Sequence, residues 1–393
     1  EGGEWRVEKQ RLHWDILDAF QDAAEEIGIP RRSDFNDGDN EGVGYFEVNQ
    51  RGGVRWSTAK AFLRPAMARS NFRLETKAHT NHLILEGKKV IGINYDQHGV
   101  TKQAFAKAEV ILCAGAVNSP KILELSGIGR GDLLQKMGIT LNHELSGVGE
   151  NLQDHLQIRT VFKIENAVTL NQKANSLFGK IGMGLQYALN RSGPLAMAPS
   201  QLGLFTKSDP ALETPDLEFH IQPLSTDKLG DPLHDFPAIT VSVCNLRPDS
   251  RGYIHIKSPN KEDHPAIMAN YLSTESDKMV AARSIQVARK IMSAKRLKEY
   301  NPVEYLPGAH IHEEADLVRE AGNIASTIFH PVGTCKMGQD NMAVVDAELK
   351  LHGLEGLRVV DASIMPTITS GNTNSPVIMI AEKAADFIQK DYK

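Results

Sequence analysis

Apolar residues recur every three or four positions from residue 16 to residue 27, which is the spacing of one face of an α-helix. Gly28 and Pro30 follow at once, and both are typical just beyond a helix end. From residue 83 to residue 105 the pattern changes to short apolar runs separated by polar turns that contain glycine. This alternation predicts a β-meander after the first helix.

A continuous apolar run at residues 108–113 (AEVILC) predicts a buried strand of a parallel sheet. The next turn predicts a helix with Ser119 as its N-cap, Pro120 in its first turn and Gly127 beyond its end. A strand, a turn and a helix in this order indicate an α/β fold.

The same order returns near the C-terminus. A strand is predicted at residues 357–360, and the helix after it has Ser375 as N-cap and Pro376 as its first residue. That helix, at residues 377–388, is apolar nearly all round, so we expect it to be buried.

The middle of the chain has a different pattern, with helices predicted at residues 177–189 and 279–292 and strands between them. The strands are predicted at residues 217–221, 239–243 and 253–256. We interpret residues 161–325 as an antiparallel-sheet domain inserted into an α/β domain that is formed by residues 1–160 and 326–393. The predicted fold class is α/β plus α+β.

Composition and charge narrow the class of protein. The chain has 393 residues, of which 41% are hydrophobic and 24% charged, as in ordinary globular proteins. A net charge of -5 argues against a nucleic-acid partner. No apolar run approaches the roughly 18 residues of a membrane span. Residues 1–5 (EGGEW) lack the features of a signal peptide and resemble the interior of a longer protein.

The cysteines indicate the compartment. Cys113, Cys244 and Cys335 are scattered and odd in number, which argues against a disulfide framework and for a reducing environment. We therefore expect a cytoplasmic location, with peripheral contact at the inner membrane left open.

Two polar side chains are the best candidates for chemistry. His330 stands between an apolar residue and Pro331, and imidazole is the side chain best suited to remove a hydroxyl proton near neutral pH. Asn372 offers both a donor and an acceptor to the same oxygen. The helix N-terminus after it favours negative charge in front of it. A structural histidine and a plain helix cap are the alternatives.

Other candidates are weaker. His220 alternates with apolar neighbours and either faces a substrate cavity or is a satisfied strand histidine. His155 is expected to fix a loop by hydrogen bonds rather than to react, and Cys335 has no second cysteine near it. The acidic turn at residues 34–40 departs from calcium-loop spacing at Gly38, so we expect a solvated turn and no metal site.

Four ordered segments carry a family resemblance. They are residues 115–129 (GAVNSPKILELSGIG), 147–155 (GVGENLQDH), 330–338 (HPVGTCKMG) and 371–376 (GNTNSP). With these segments the chain resembles the glucose–methanol–choline (GMC) flavoprotein oxidoreductases, in particular their choline dehydrogenase-like and alcohol dehydrogenase-like branch. The resemblance extends from about residue 14 to the C-terminus.

The resemblance implies FAD as cofactor and gives roles to individual residues. His330 corresponds to the catalytic histidine and Asn372 to the second active-site position of the family. Asp361 and Ala362 correspond to the segment that contacts the FAD phosphates and ribityl chain. The backbone of Asn372, Thr373, Asn374 and Pro376 would border the flavin ring, where a helix N-terminus suits the negative charge of reduced flavin.

The chain departs from the family pattern in one respect. Members open with a strand, a Gly-x-Gly-x-x-Gly turn and a helix that hold the dinucleotide phosphates, and this sequence has no such segment. We therefore expect the chain alone to bind FAD poorly and to expose a hydrophobic sheet edge. A non-catalytic fragment and a lyase that keeps flavin as a scaffold are the alternatives to an oxidoreductase.

The resemblance implies oxidation of a primary alcohol to an aldehyde, with His330 as base, Asn372 positioning the oxygen and hydride passing to flavin N5. It favours a dehydrogenase over an oxidase. Choline would need an aromatic or acidic cage for its ammonium group, and none is evident in the sequence. The alcohol, the electron acceptor and the oligomeric state are left open.

Overall fold

The computed structural model describes residues 2–198, 200–228 and 230–393. These residues form two compact units, each built from three separate stretches of chain. The first unit consists of Glu1–Leu74, Leu156–Leu246 and Glu275–Ser326. The second unit consists of Glu75–His155, Arg247–Thr274 and Thr327–Lys393.

The boundaries of these two units differ in detail from the predicted domain boundaries, which divide the chain into three consecutive segments. The chain enters the first unit at Leu156 and leaves it after Ser326, close to the predicted boundaries at residues 160 and 325. Residues 1–74, however, belong to the first unit, and residues 247–274 belong to the second. The predicted domain bounds stay a prediction for the protein as a whole.

The first unit is built around an antiparallel sheet with both faces covered. In spatial order its strands are Gly42–Tyr45, Leu202–Thr206, Leu217–Gln222, Ala238–Asn245, Leu156–Lys163 and Val303–Leu306. Every residue of Leu202–Thr206 is buried, so the central strands do not alternate between a core face and a solvent face. The predicted strands at residues 217–221 and 239–243 are confirmed.

The helices of the first unit surround this sheet, and the predicted first helix is confirmed at Asp15–Glu26. The other helices are Arg64–Met67, Leu170–Asn175, Leu177–Asn190, Glu275–Met292 and Glu314–Ile324. A hairpin of Gln50–Arg51 and Val54–Arg55 lies before a π-helical turn at Ala59–Leu63. The unit also contains 3-10 helices at Pro194–Ala196 and Lys295–Tyr300. The short strand Ala325–Thr327 is the seventh strand of the sheet and pairs with Leu156–Lys163.

The second unit contains the predicted meander and the parallel pair. The meander strands are Ala78–Glu86, Lys89–Gln97 and Val100–Phe105, and the parallel strands are Val110–Leu112 and Leu357–Val359. Short pairs join Tyr253–His255 to Ala266–Met268 and Ile128–Gly129 to His143–Glu144. Its helices are Gly115–Leu125, Gly131–Lys136 and Asn374–Asp391, with a single turn at Ala362–Ile364. The α/β plus antiparallel fold class is confirmed.

The core of the second unit joins these elements. Its fully buried members include Leu123 from the helix after the first parallel strand and Val359 from the second strand. Ile111 of the first parallel strand is nevertheless 42% exposed. The prediction of a wholly buried strand is therefore wrong at Ile111, and the exposed sheet edge expected for the chain alone stays a prediction.

Two predicted helix starts are wrong. The first of these helices begins at Gly115, and Ser119 lies inside it instead of capping it. The Ser119 hydroxyl donates to the Asp361 carboxylate over 2.5 Å, and Gly115 N–H donates to the same oxygen over 2.9 Å. Because Asp361 satisfies an N–H at the true helix start, the helix extends one turn further than its sequence predicts.

The C-terminal helix also differs from its prediction. It begins at Asn374, with Thr373 before it, so Ser375 is not the N-cap. Only Ile380 and Ala384 of its described residues are buried, and Met379 is 59% exposed. The expectation of a buried helix is wrong in this structure, because the apolar residues spread around the helix and only one narrow stripe meets the core.

Candidate functional site

His330 is held by a short antiparallel pairing inside the second unit. Gln153 N–H donates to Val332 O over 3.1 Å, and Val332 N–H donates back to Gln153 O over 2.9 Å. Gly333 has a φ of +92°, and a Cβ at this position would lie 2.5 Å from the carbonyl oxygen of Asn151. Glycine is therefore required there for the two segments to approach each other.

The Asp154 carboxylate fixes the backbone of His330. One of its oxygens accepts the N–H of His330 over 2.9 Å. The other oxygen accepts the hydroxyls of Thr327, over 2.5 Å, and Tyr271. Burial, followed by the charge of Asp154, raises the pKa of Tyr271, so this phenol stays a hydrogen-bond donor at neutral pH. Three donors on one carboxylate leave the histidine little backbone freedom.

The imidazole of His330 has a polar neighbour at each nitrogen. Its Nδ1 lies 3.0 Å from Nδ1 of His155, which is fully buried. Its Nε2 lies 3.5 Å from Nδ2 of Asn372, which is exposed. The structure thus brings His330 and Asn372 together although 42 positions separate them in the chain.

This pairing has a consequence for the protons of the two histidines. A hydrogen bond between two Nδ1 atoms needs one protonated and one bare nitrogen. If His155 is the acceptor, then neutral His330 carries its proton on Nδ1, and Nε2 is its unprotonated nitrogen. Nε2 faces Asn372, so the nitrogen able to take up a proton lies on the exposed side of the ring.

The loop before Asn372 is anchored by the same segment that holds His330. The side chain of Gln153 donates to Pro366 O over 3.1 Å and accepts Ile368 N–H over 3.2 Å. Asn151 also donates to Pro366 O, over 3.2 Å. Residues 151–155 therefore position both candidate catalytic residues.

The predicted cofactor residues lie beside this site. Asp361 is buried and accepts the N–H of Ser363 over 2.8 Å, in addition to Gly115 and Ser119. Ala362 O accepts Gly333 N–H over 3.3 Å, so the turn at Ala362–Ile364 contacts the segment that follows His330. Thr373 is buried at the helix start, Asn374 is exposed and Pro376 is half-buried.

The polar groups around the site suit a polar ligand. Within the described ranges, the buried hydroxyls of Ser363 and Thr369 have no hydrogen-bond partner. In the same described part of the chain, no side chain caps the N-terminus of Asn374–Asp391. Unpaired N–H groups at a helix start favour an anionic group. The donor set therefore fits the negatively charged edge of a reduced flavin.

The cysteines of the second unit are poor candidates for redox chemistry. Burial and then the charge of Asp361 raise the pKa of Cys113 to about 11. Complete burial raises the pKa of Cys335 well above its usual range, so its thiol stays protonated. This agrees with the expectation that Cys335 is not part of a redox pair.

The sequence pattern undervalued residues 151–155. It predicted that His155 fixes a loop, whereas this side chain contacts His330 itself. Asp154 and Gln153 were missed as supporting residues, because their partners lie 176 and 215 positions further along the chain. The available signal was the polar segment NLQDH, which stands out beside the apolar strand that follows it.

The remaining candidates lie in the first unit. His220 is buried on strand Leu217–Gln222, with Glu218 and Cys244 close to it. In the acidic turn at residues 34–40, Asp37 and Asp39 form ion pairs with Arg32. Arg32 therefore balances part of the negative charge of the turn, and the solvated turn stays a prediction.

Comparison with known proteins relates this geometry to a family. Two family profiles, both described as GMC oxidoreductase, match residues 3–157 and residues 248–381. The alcohol dehydrogenase [acceptor] of Pseudomonas putida is 40% identical over 373 residues, which are 94% of this chain and 67% of that protein. The chain belongs to the GMC oxidoreductase family. All four segments that carried the resemblance in the sequence lie in the second unit.

Two further GMC relatives define the extent of the match. Human mitochondrial choline dehydrogenase is 39% identical over 389 residues, and the chain spans 98% of its own length but 65% of that relative. The crystal structure of pyridoxine 4-oxidase from Mesorbium loti superposes with a TM-score of 0.87 at 28% identity, covering 98% of this chain and 72% of the other. The chain therefore corresponds to about two thirds of its relatives.

The helices were also compared with the dimensions of a membrane span. Across residues 2–198, 200–228 and 230–393, no helix is both long enough and apolar enough to cross a bilayer.

Proposed function

We propose that the second unit is the catalytic part of an FAD-dependent oxidoreductase that converts a primary alcohol to an aldehyde. His330 is its base and Asn372 positions the substrate oxygen. The observation that carries this proposal is the 3.5 Å approach of His330 Nε2 to the Asn372 amide, which places a proton acceptor beside an oxygen-binding group. The names of the relatives, choline dehydrogenase and alcohol dehydrogenase, support an alcohol as the substrate class.

His330 takes the hydroxyl proton at Nε2. If Nδ1–H donates to His155, then Nε2 is the unprotonated nitrogen, and protonation there gives an imidazolium whose Nδ1–H bond is already in place. The contact of His330 Nδ1 with His155 is kept during proton transfer, so the ring stays oriented for general-base catalysis. Asp154 supports this step because it keeps the His330 backbone fixed.

Asn372 stabilises the oxygen as it becomes an alkoxide. Its amide N–H group can donate to that oxygen, and its position follows from the loop that Gln153 and Asn151 anchor. A donor aimed at developing negative charge typically contributes about a hundredfold to a thousandfold in rate.

FAD is the cofactor that this proposal requires, and when bound it supplies the hydride acceptor. Asp361, Ala362 and the helix start at Thr373, Asn374 and Pro376 would hold it, as the unpaired groups around the site suggest. The alternative, a chain that does not retain FAD, rests on the exposed Ile111 at the edge of the parallel pair.

The test is to load the chain with FAD, remove free cofactor and add primary alcohols in the absence of oxygen. The proposal predicts that the flavin that the chain does retain bleaches with at least one alcohol. His330→Gln should retain flavin but slow bleaching by at least about a hundredfold, the usual contribution of a general base. His312→Gln, which changes an exposed histidine of the first unit, is the matched control and should bleach like the unmodified chain.

Three outcomes contradict parts of the proposal. Retained flavin that no primary alcohol bleaches would exclude the oxidation itself. If no flavin is retained, the chain is not sufficient for catalysis, and the fragment interpretation applies. Equal bleaching rates for His330→Gln and the unmodified chain would exclude His330 as the base.

A further inference from the structure

Three buried metal-binding side chains share one face of the sheet in the first unit. Strand Leu217–Gln222 pairs antiparallel with strand Ala238–Asn245, and Glu218 lies directly opposite Cys244. His220 is two residues beyond Glu218, so it points to the same face. None of these residues belongs to the proposed oxidation site, which lies in the second unit.

The donor atoms of these three residues are close enough to bind one ion. One ligand atom from each of Glu218, His220 and Cys244 lies within 4.8 Å of the others. The His220 Nε2 to Glu218 Oε1 distance is 3.5 Å. Tetrahedral bonds of roughly 2.0–2.3 Å place neighbouring ligand atoms about 3.3–3.6 Å apart. The nitrogen and the oxygen already have this spacing, and the Cys244 sulfur lies within 4.8 Å of both.

Burial makes this cluster unusual. Glu218 and Cys244 are fully buried, and His220 is 5% exposed. Among the described residues, His220 Nε2 and the hydroxyl of Ser242, which lies opposite His220, have no hydrogen-bond partner. A buried imidazole nitrogen without a hydrogen bond costs free energy, and a metal ion would remove that cost.

The surroundings are those of a protected site. The ring of Phe46 lies 5.5 Å from that of His220. Phe46 also covers Gly203, where an added Cβ would lie 2.3 Å from the ring. Phe205 stands opposite Glu218 on the neighbouring strand. Aromatic residues around a polar cluster exclude water and strengthen metal–ligand bonds.

Charge pairing without a metal is the competing explanation. Arg159 lies opposite Ser242 and on the same face, where burial lowers its pKa. Arg159 or a protonated His220 could balance the Glu218 carboxylate. The Cys244 thiol also donates to Glu218 O over 3.6 Å. Charge pairing gives this thiol no further role, whereas a divalent ion neutralises a carboxylate and a thiolate together.

We propose that Glu218, His220 and Cys244 bind one divalent transition-metal ion, with Zn²⁺ as the best match. An imidazole, a thiolate and a carboxylate are the usual zinc ligands, and hard cations such as Mg²⁺ and Ca²⁺ disfavour sulfur. Binding removes the proton from Cys244 Sγ to solvent as the metal–sulfur bond forms. The fourth position is left for water or a ligand. The ion cross-links two central strands and so stabilises the first unit.

The experiment uses the full chain after its treatment with a chelator, with FAD present throughout. We expect Zn²⁺ to bind in a one-to-one ratio, measured by elemental analysis after desalting, and to raise the thermal unfolding temperature. Co²⁺ is the spectroscopic probe, and the Co²⁺-minus-Zn²⁺ difference spectrum cancels the flavin bands. A thiolate-to-cobalt charge-transfer band is expected.

Variants identify the ligands. Cys244→Ser should abolish the charge-transfer band, and His220→Gln and Glu218→Gln should each weaken Zn²⁺ binding by at least tenfold. Cys113→Ser, which changes a thiol of the second unit, and His312→Gln are the matched controls and should bind normally.

Absence of stoichiometric Zn²⁺ binding to the unmodified chain would overturn the proposal even if every variant misfolds. Binding that survives all three ligand substitutions would also overturn it, since the ion would then be elsewhere. The measurement does not depend on alcohol oxidation, so failure of one proposal leaves the other to be judged separately.

Discussion

Removal of the Asp154 carboxylate should destabilise the segment that carries His330. Asp154 is 7% exposed and accepts hydrogen bonds from the His330 backbone and the hydroxyls of Thr327 and Tyr271. Hydrogen bonds to a charged group contribute about 1.5–3 kcal/mol each. The two hydroxyls can turn to other acceptors, but the His330 N–H group is fixed. We therefore expect Asp154→Ala to cost about 3–5 kcal/mol, less than the sum of three bonds.

Two milder variants separate the contributions. Asp154→Asn keeps one acceptor oxygen for the His330 N–H group and loses the charge, so we expect a loss of about 1–2 kcal/mol. Thr327→Val removes one hydroxyl donor and should cost about 1 kcal/mol. If the Asp154 carboxylate organises several donors, Asp154→Ala should be the most destabilised variant, Asp154→Asn the next and Thr327→Val the least.

The assay has to report on the second unit. Trp5, Trp14 and Trp56 are all in the first unit, so tryptophan fluorescence would follow the wrong part of the chain. Urea unfolding followed by circular dichroism, together with amide hydrogen exchange of His330, is the appropriate measurement. An Asp154→Ala variant within 1 kcal/mol of the unmodified chain, with unchanged exchange at His330, would refute the reasoning.

Three further predictions concern other contacts of the second unit. Burial raises the pKa of the Glu124 carboxyl. Burial alone would lower the pKa of His255, but the hydrogen bonds and charges of Glu124 and then of Glu150 outweigh burial, so the pKa of His255 is raised as well. Both groups therefore stabilise the fold fully below their ordinary pKa values of 4.5 and 6.5, and this contribution is lost as pH rises through the raised values. Glu124→Gln should flatten the fall of the urea midpoint as pH rises above the ordinary pKa values of the two groups, and an unchanged slope would contradict this. His155→Leu should slow alcohol-dependent flavin reduction by about 10–100-fold, and His155→Asn, which keeps a hydrogen-bond acceptor, should slow it less. If stopped-flow measurements give His155→Leu and the unmodified chain the same rate, His155 does not position His330. Arg358→Met should lower the free energy of unfolding in urea by about 3–5 kcal/mol, because Arg358 is fully buried and pairs with Glu109 and Asp391. The control Lys350→Met should lower it by under about 1 kcal/mol. Similar losses for the two variants would contradict the burial argument.

The sequence predicted the elements with strong periodicity and missed their ends. The helix at Asp15–Glu26 and the meander strands follow from apolar spacing alone. The start of Gly115–Leu125 does not, because it depends on Asp361, which is 246 positions from Gly115. Local cap residues such as Ser119 predict a start only when no distant side chain satisfies the helix N–H groups first.

The candidate site shows the same limit. His330 and Asn372 stand out by residue type and by the segments around them, so the sequence could nominate them. Their supports could not be found in this way, because the pairing of Gln153 with Val332 is a tertiary bridge between segments with no helical or strand periodicity. The register of two sheet strands is equally hidden, and so Glu218 and Cys244 were not connected with His220.

The way in which residues 151–155 contact two separate segments suggests why His330 and Asn372 act as a pair. Gln153 bonds the backbone at Val332 and the loop at Pro366 and Ile368, so a shift of this residue moves the supports of both side chains in the same sense. During small motions the distance between His330 Nε2 and the Asn372 amide therefore changes less than if each residue had its own support. A proton acceptor and an oxygen-binding group that must serve one hydroxyl gain from such a shared anchor, since the error that matters is their relative position.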